Sequence, residues 1–268
     1  MIFYQINDIM SITNHYFLQE NTMHVYETLI IGCGYYSAGY AAAKGNCIIC
    51  EEHQVCDTGF NLPLRSFTYT PYIPKTEEGN KLFNYFESLA LFKDEKQNTH
   101  AFEIAFCKYI IRSDINILLK CRIIKVTKRE DGILDITIQT NEGLNHLYAK
   151  KILNTVNTSS DKMYTVLFVS NDIEKEKLKL LKAFDNSSIE QAFYDGRYAL
   201  HIPVADSTDE NLIKRDVYEK WTSLDTDAKI LYMAPTFYEK DCSNENCDLK
   251  YKNPIEAFEA GYRYANEK

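Results

Sequence analysis

No stretch of the 268 residues approaches the roughly eighteen consecutive apolar residues of a membrane-spanning helix, so no span is expected. Basic residues are in deficit: 30 Lys and Arg stand against 38 Asp and Glu, a formal net charge of −8. Without a basic face, neither nucleic acid nor an anionic membrane is expected as the principal partner. The opening segment MIFYQINDIMSITNHYF has no basic start, no compact apolar core and no small-residue cleavage site. It does not read as a signal peptide, and a cytoplasmic location is expected. No internal repeat or low-complexity tract interrupts the chain. What is present, 45% hydrophobic and 25% charged residues, is ordinary for a globular protein with a sizeable core. The 20 tyrosines and 14 phenylalanines fill a core or cover a loop as readily as they stack on a ligand ring.

The 8 cysteines are dispersed, and Cys33, Cys47, Cys50, Cys107 and Cys121 fall within apolar patterns, so buried free thiols are the default. Cys47 and Cys50 have the spacing of a redox or zinc motif, but in a strand side chains three apart face opposite ways. Cys242 and Cys247 lie in a polar loop with no second pair or histidine nearby to complete four ligands. No metal is expected.

One segment carries chemistry in its order of parts: ETLIIGCGYYSAGYAAAKGNCIICEE, from Glu27 to Glu52. Thr28 to Ile31 is a short β-branched run of the kind buried on both faces of a parallel sheet. Gly32-Cys33-Gly34 turns the chain into a helix starting near Tyr35. Gly32 permits the tight turn, Gly34 keeps a Cβ out of the way of a pyrophosphate, and the helix aims its positive end at that charge. Tyr36 belongs to the same first turn, and Ser37 stands at the third small position. Gly45-Asn46 closes the helix, and Cys47 to Cys50 forms the next strand. Glu51 arrives about twenty residues after the first glycine, where an acid takes the ribose hydroxyls of an adenine dinucleotide. Glu52 follows it. The cofactor-binding candidates here are Gly32, Cys33, Gly34, Tyr35, Tyr36, Ser37, Glu51 and Glu52.

Beyond His53 to Phe60 and a Pro- and Tyr-rich stretch from Leu62 to Pro74, helical periodicity is predicted for Glu77 to Phe92 and Thr99 to Ile111. Strands are predicted for Asn116 to Lys120, Arg122 to Arg129 and Ile133 to Thr140. A turn at Asn141-Glu142-Gly143 follows, with His146 to Lys150 leading into a further buried strand, Lys151 to Thr155. The character then changes to antiparallel strands at Tyr164 to Ser170 and Ile189 to Val204, the latter folded at Asp195-Gly196. A helix from Thr208 to Trp221 opened by Ser207 or Thr208, a strand from Lys229 to Ala234 and a helix opened by Asn253 and Pro254 complete the pattern. The expected fold class is α/β, a Rossmann-like parallel sheet with a β-meander plus a smaller antiparallel α+β substrate domain. The expected domains are an N-terminal appendage (1–22), a dinucleotide-binding part (23–160), an antiparallel substrate or cap domain (161–233) and a C-terminal segment (234–268) returning to the first.

This order of parts resembles the FAD-dependent oxidoreductases of the glutathione-reductase type. The resemblance rests on the unit from Gly32 to Glu51, on INILLKCRIIKVTKREDGILDITIQTNEGLNHLYAKKILNT and on the terminal NPIEAFEAGYRYA. It implies FAD as cofactor, oxidation or reduction of a small molecule, an adenine contact near Ile123 and a flavin-side contact near Asn157. Departures accompany it: Asn157 stands where glycine is usual, and Ala234-Pro235-Thr236 replaces a Gly-Asp motif before the last helix. A chain of 268 residues leaves little room for a separate NADH domain, so none is expected, and no catalytic base is assigned. Candidates on the substrate side are Arg65 and Tyr69 on the extended loop, with Tyr194, Arg197 and His201 on the hairpin; either arginine can clamp a carboxylate. The competing reading is a non-catalytic nucleotide-binding or interaction protein on a degenerate Rossmann frame. Homo-oligomerisation is left open.

Overall fold

The computed structural model of the protein describes residues 24–53, 56, 70–94, 96–156, 162–205, 208–234, 237–239 and 244–267. Its first part holds β1 (Val25–Ile31), α1 (Tyr35–Lys44), β2 (Cys47–Glu51), α2 (Glu77–Ser88), α3 (Thr99–Arg112), β5 (Ile117–Leu119), β6 (Arg122–Lys128), β7 (Leu134–Thr140) and β8 (Gly143–Asn154). The last helix, α6 (Pro254–Glu267), returns to it. The six-stranded sheet runs in the order β5-β2-β1-β8-β7-β6. β5, β2, β1 and β8 are parallel neighbours, while β8, β7 and β6 form an antiparallel meander.

The apolar runs of β1 and β2 read as continuous because each strand is covered on both sides. Ile30, Cys47 and Ile49 point into a cluster with Tyr35, Ala38 and Phe258 beneath the helices. Leu29, Ile48 and Cys50 point the other way, against Cys121, Ile136 and Ile138. Cys47 and Cys50 therefore lie on opposite faces and share no ligand. Burial pushes the Cys47 thiol up, and a hydrogen bond with the Cys121 thiol together with burial raises Cys50 well above the ordinary value. Both cysteines are expected to resist brief alkylation in the native protein and to react only on unfolding, as mass spectrometry would read directly. Fast labelling of either in the folded state would contradict the two-sided burial of β2.

β8 differs from expectation. Instead of a meander strand followed by a separate return, one continuous strand pairs antiparallel with β7, from Thr140 opposite Gly143 to Leu134 opposite Ala149, and parallel with β1, from Val25 opposite Tyr148 to Ile31 opposite Asn154. No glycine or proline lies between Leu144 and Asn154 to break it. α2 also stops earlier than its periodicity predicts. Ala90 takes a left-handed φ of 51°, and the chain enters a small hairpin of β3 (Phe92–Lys93) and β4 (Lys96–Gln97).

α1 and α6 touch backbone to backbone. A Cβ on Gly39 would overlap the Phe258 carbonyl, and one on Gly261 would overlap the Tyr36 carbonyl. α6 also holds down the start of α2: the buried Glu259 carboxylate accepts from the Lys75 and Thr76 N–H groups at 2.6 Å each, from Thr76 Oγ1 at 2.9 Å and from the Tyr72 hydroxyl at 2.8 Å. Thr76 in turn caps α2 by accepting from Gly79 N–H at 2.9 Å.

The second sheet is antiparallel, in the order β10-β11-β9-β12, from β9 (Lys162–Val169), β10 (Ser188–Gln191), β11 (Arg197–Val204) and β12 (Lys229–Met233), with β13 (Tyr238–Glu239) also beside β9. Tyr164, Val166 and Phe168 bury one face against α4 (Ile173–Ala183) and α5 (Glu210–Ser223) through Leu180, Phe184, Val217 and Trp221. α4 was not anticipated from the sequence pattern, although Asp172 caps it by accepting from Lys175 N–H at 3.2 Å, with Glu174 and Glu176 in the first turn. α5 is capped by Asp209, not by Ser207 or Thr208: its carboxylate accepts from Asn211 N–H at 2.8 Å and Leu212 N–H at 3.1 Å. The protein is thus mixed α/β, a mostly parallel six-stranded sheet with a smaller antiparallel unit. Among the described residues no helix is long and apolar enough to cross a membrane.

Candidate active site: the glycine turn and the start of the first helix

The candidate site lies where β1 gives way to α1, at the carboxyl end of the parallel strands, the usual ligand crevice of such sheets. Gly32 has φ +92°, and a Cβ there would stand 2.8 Å from Val156 Cγ2 and 3.1 Å from Thr155 Oγ1 at the end of β8. Turn geometry and neighbours alike require glycine. Thr155 Oγ1 closes that edge by donating to the Ile31 and Gly32 carbonyls at 2.8 and 3.1 Å.

Glu51 ends β2 directly behind this turn and is buried. Its carboxylate accepts from Cys33 N–H at 2.7 Å, from His53 N–H at 2.9 Å, and makes a 2.9 Å hydrogen bond with His53 Nδ1. A buried carboxylate held by a glycine-turn amide is a fixed acceptor for hydroxyl groups brought to the strand end. Ser37, where glycine or alanine is usual, replaces backbone closeness with a cap. Gly34 N–H donates to Ser37 Oγ at 2.7 Å, and Ser37 Oγ donates back to the Gly34 carbonyl at 2.8 Å.

The next two amides, at the positive end of α1, already hold an anion. Tyr35 N–H donates to Asp248 Oδ2 at 2.9 Å and Tyr36 N–H to Asp248 Oδ1 at 2.8 Å. Asp248 is 6% exposed and begins a 3-10 turn, Asp248–Lys250. A Cβ on Gly34 would come within 2.6 Å of Asp248 Oδ2, so the space left by that glycine is taken by this carboxylate. The turn is tied in place: the Tyr36 hydroxyl donates to Asn246 Oδ1 at 3.0 Å, and Asn244 Nδ2 donates to the Asn154 and Val156 carbonyls at 2.9 and 3.0 Å. All four consecutive amides from Cys33 to Tyr36 are therefore bonded within the chain.

The remaining candidates are placed as follows. Glu52 turns outward and pairs with Arg122 at 3.6 Å. Ile123 sits half-buried on β6, opposite Ile138 and against the core below β1. Asn157, Arg65 and Tyr69 lie outside the described residues. Tyr194 and Arg197 stack together at the hairpin, guanidinium 4.8 Å from the ring centroid, with Asn98 Nδ2 3.4 Å from the Tyr194 hydroxyl. His201 is buried on β11, its Nδ1 2.9 Å from Thr165 Oγ1 and 3.1 Å from the Tyr238 hydroxyl, its Nε2 3.5 Å from Glu190 Oε2. Cys247, expected in an exposed loop, is buried, its sulfur accepting from Leu249 N–H at 3.3 Å. Its loop partner Cys242 lies outside the described residues. Sequence reasoning missed Asp248 and His53. His53 stands two residues after the strand-end acid, a local signal, whereas no local pattern announces that Asp248 meets amides 212 and 213 residues away.

No protein-family model matches the sequence, and no curated protein matches it. Solved structures do. Over 92% of this chain and 81% of the other, it is similar to p-nitrophenol 4-monooxygenase from Pseudomonas putida DLL-E4, at 11% identity and a TM-score of 0.54. L-proline dehydrogenase from P. horikoshii matches at 11% identity and a TM-score of 0.54, over 92% of this chain and 95% of that one. Aklavinone-11 hydroxylase, solved with FAD and aklavinone, matches at 10% identity and a TM-score of 0.51, over 92% of this chain and 62% of its own. At these identities the likeness is one of fold: a largely parallel, Rossmann-like sheet with an antiparallel meander and a smaller antiparallel unit.

Proposed function

We propose that the protein is an FAD-binding oxidoreductase acting on a small molecule. The observation that carries this reading is the buried Glu51 carboxylate at the end of β2, 2.7 Å from the Cys33 amide of the glycine turn. That arrangement suits the adenosine ribose. The amides at the start of α1 fit a pyrophosphate in kind, since the group they hold is itself a two-oxygen anion. Glu51 would hold the ribose hydroxyls, and residues 32–37 with Thr155 would line the phosphates and the flavin side. FAD so bound supplies hydride or electron transfer, while the protein orients the substrate and excludes water.

We assign substrate binding to the antiparallel unit, residues 161–233, and adenine dinucleotide binding to residues 23–160 with the returning segment 234–268, in a cytoplasmic protein. On the sheet face opposite α4 and α5, the buried imidazole of His201 has two hydroxyls and a carboxylate around it, a set able to hold or move a proton at Nδ1 or Nε2. Arg197 offers a cation for an acidic substrate.

Purified protein carrying FAD is expected to absorb near roughly 370 and 450 nm. Glu51→Gln is expected to weaken FAD binding by about 1–3 kcal/mol, the usual worth of charge-assisted hydrogen bonds, as titration of the apoprotein would measure. Unchanged affinity would take Glu51 out of the site. The second reading, a nucleotide-binding frame without catalysis, is favoured by one observation, the presence of Asp248 at the helix start; a protein that neither copurifies with nor takes up flavin would bear it out.

A further inference from the structure

Phosphate groups of dinucleotides on this fold are received by the glycine-turn amides and the N-terminal end of the first helix. Here that end is filled. Both Asp248 oxygens are engaged, one by each of two successive helix amides, and each amide has a single hydrogen to give. The space free of side chain at Gly34 is occupied by the same carboxylate. A pyrophosphate brought to these atoms meets no unused donor between Cys33 and Tyr36, and it meets a like charge at hydrogen-bond range.

We infer that Asp248 is an internal rival of the cofactor: its carboxylate occupies the phosphate seat of the protein, and a dinucleotide binds only when the turn carrying Asp248 swings away from the start of α1. This deepens the FAD reading and rests on it. The turn has the form of a latch. Its outer ties are side-chain hydrogen bonds, one from Tyr36 to Asn246 and two from Asn244 to the end of β8, and its grip on the seat is the Asp248 carboxylate. Swinging it out also uncovers Cys247, a residue only 2% exposed beside Asp248. The closed state lowers apparent affinity by the fraction of molecules that are open, so removing the carboxylate removes that factor.

The test uses the full-length apoprotein with two probes, FAD and inorganic pyrophosphate, read by flavin fluorescence and calorimetry. Asp248→Ala is expected to bind both at least about tenfold more tightly than the unaltered protein. Asp248→Asn, which keeps the shape of the side chain and sets an amide against the helix N–H groups, is expected to change affinity in the same direction. In the unaltered protein, saturating FAD is expected to speed alkylation of Cys247 by at least about tenfold, a readout that survives even if the variants fold poorly. Equal affinities across the three proteins, or FAD bound with Cys247 still protected, would overturn the inference and make Asp248 a neighbour of the cofactor. A variant that gains pyrophosphate binding while refusing FAD would uphold the latch and overturn the FAD reading instead.

Discussion

Gly261→Ala is expected to destabilise the protein by about 3 kcal/mol, although alanine in a helix is ordinarily better than glycine by about 1 kcal/mol. The sign reverses because of what the added methyl meets. α1 and α6 cross with Gly39 under the Phe258 carbonyl and Gly261 under the Tyr36 carbonyl. Both obstacles are backbone, so no rotamer change relieves the overlap and the helices must separate. Close packing transmits that separation to Tyr36, Tyr40 and Phe258 in the main core. Urea unfolding would show the loss as a fall in midpoint at unchanged slope. A stabilised or unaltered variant would show that the two backbones do not touch. Gly39→Ala, the other half of the contact, is expected to behave alike, and the double variant to cost less than the sum.

Glu259→Ala is expected to cost about 3–4 kcal/mol by a different route. Its buried carboxylate answers two backbone N–H groups and two hydroxyls in the half-buried segment that starts α2, and its removal takes their acceptor away and leaves a cavity beneath them. Three of the four donors converge on Oε1, and only the Tyr72 hydroxyl reaches Oε2. Glu259→Gln, with its oxygen kept at Oε1 and its amide facing a hydroxyl that can turn round and accept, should therefore lose only about 1 kcal/mol. Thermal melting of the pair would separate them, and equal losses would mean that charge outweighs the donor count. The same carboxylate, after burial, pushes the Tyr72 phenol up to about 12.

Those elements were legible whose signals are local. The run Thr28 to Ile31, the glycine turn, the apolar periodicity of α3 and the Asn253-Pro254 start of α6 each fix their own neighbourhood, and each forms near the predicted place. Gly132 and Gly196 likewise supply the positive φ their turns need. α4 carried a local signal that went unread, because its Lys- and Glu-rich outer face dilutes the apolar stripe to Ile173, Leu180 and Leu181. β8 was divided in two because a strand that changes partners midway leaves no mark on its own alternation. At the site, Glu51 was legible from spacing alone. Asp248 was not, since a carboxylate more than two hundred residues away in sequence meets the first helix only through tertiary contacts, which leave no local pattern.

That long separation bears on how the molecule is made. Ribosomes add about 5–20 residues per second, so the 212 positions between Tyr36 and Asp248 take about 10–40 s to synthesise. For most of that interval the nascent chain holds β1, α1 and β2, yet the tyrosine-bearing flank of α1 has no cover, because the helix that packs on it, residues 254–267, is made more than two hundred residues later. The unit is too small to bury that flank alone, so its final folding awaits the synthesis of that helix. Whatever shields the flank meanwhile, a chaperone or the chain itself, must give way to residues 254–267. A chain cut short of them would leave that flank of the helix open to solvent.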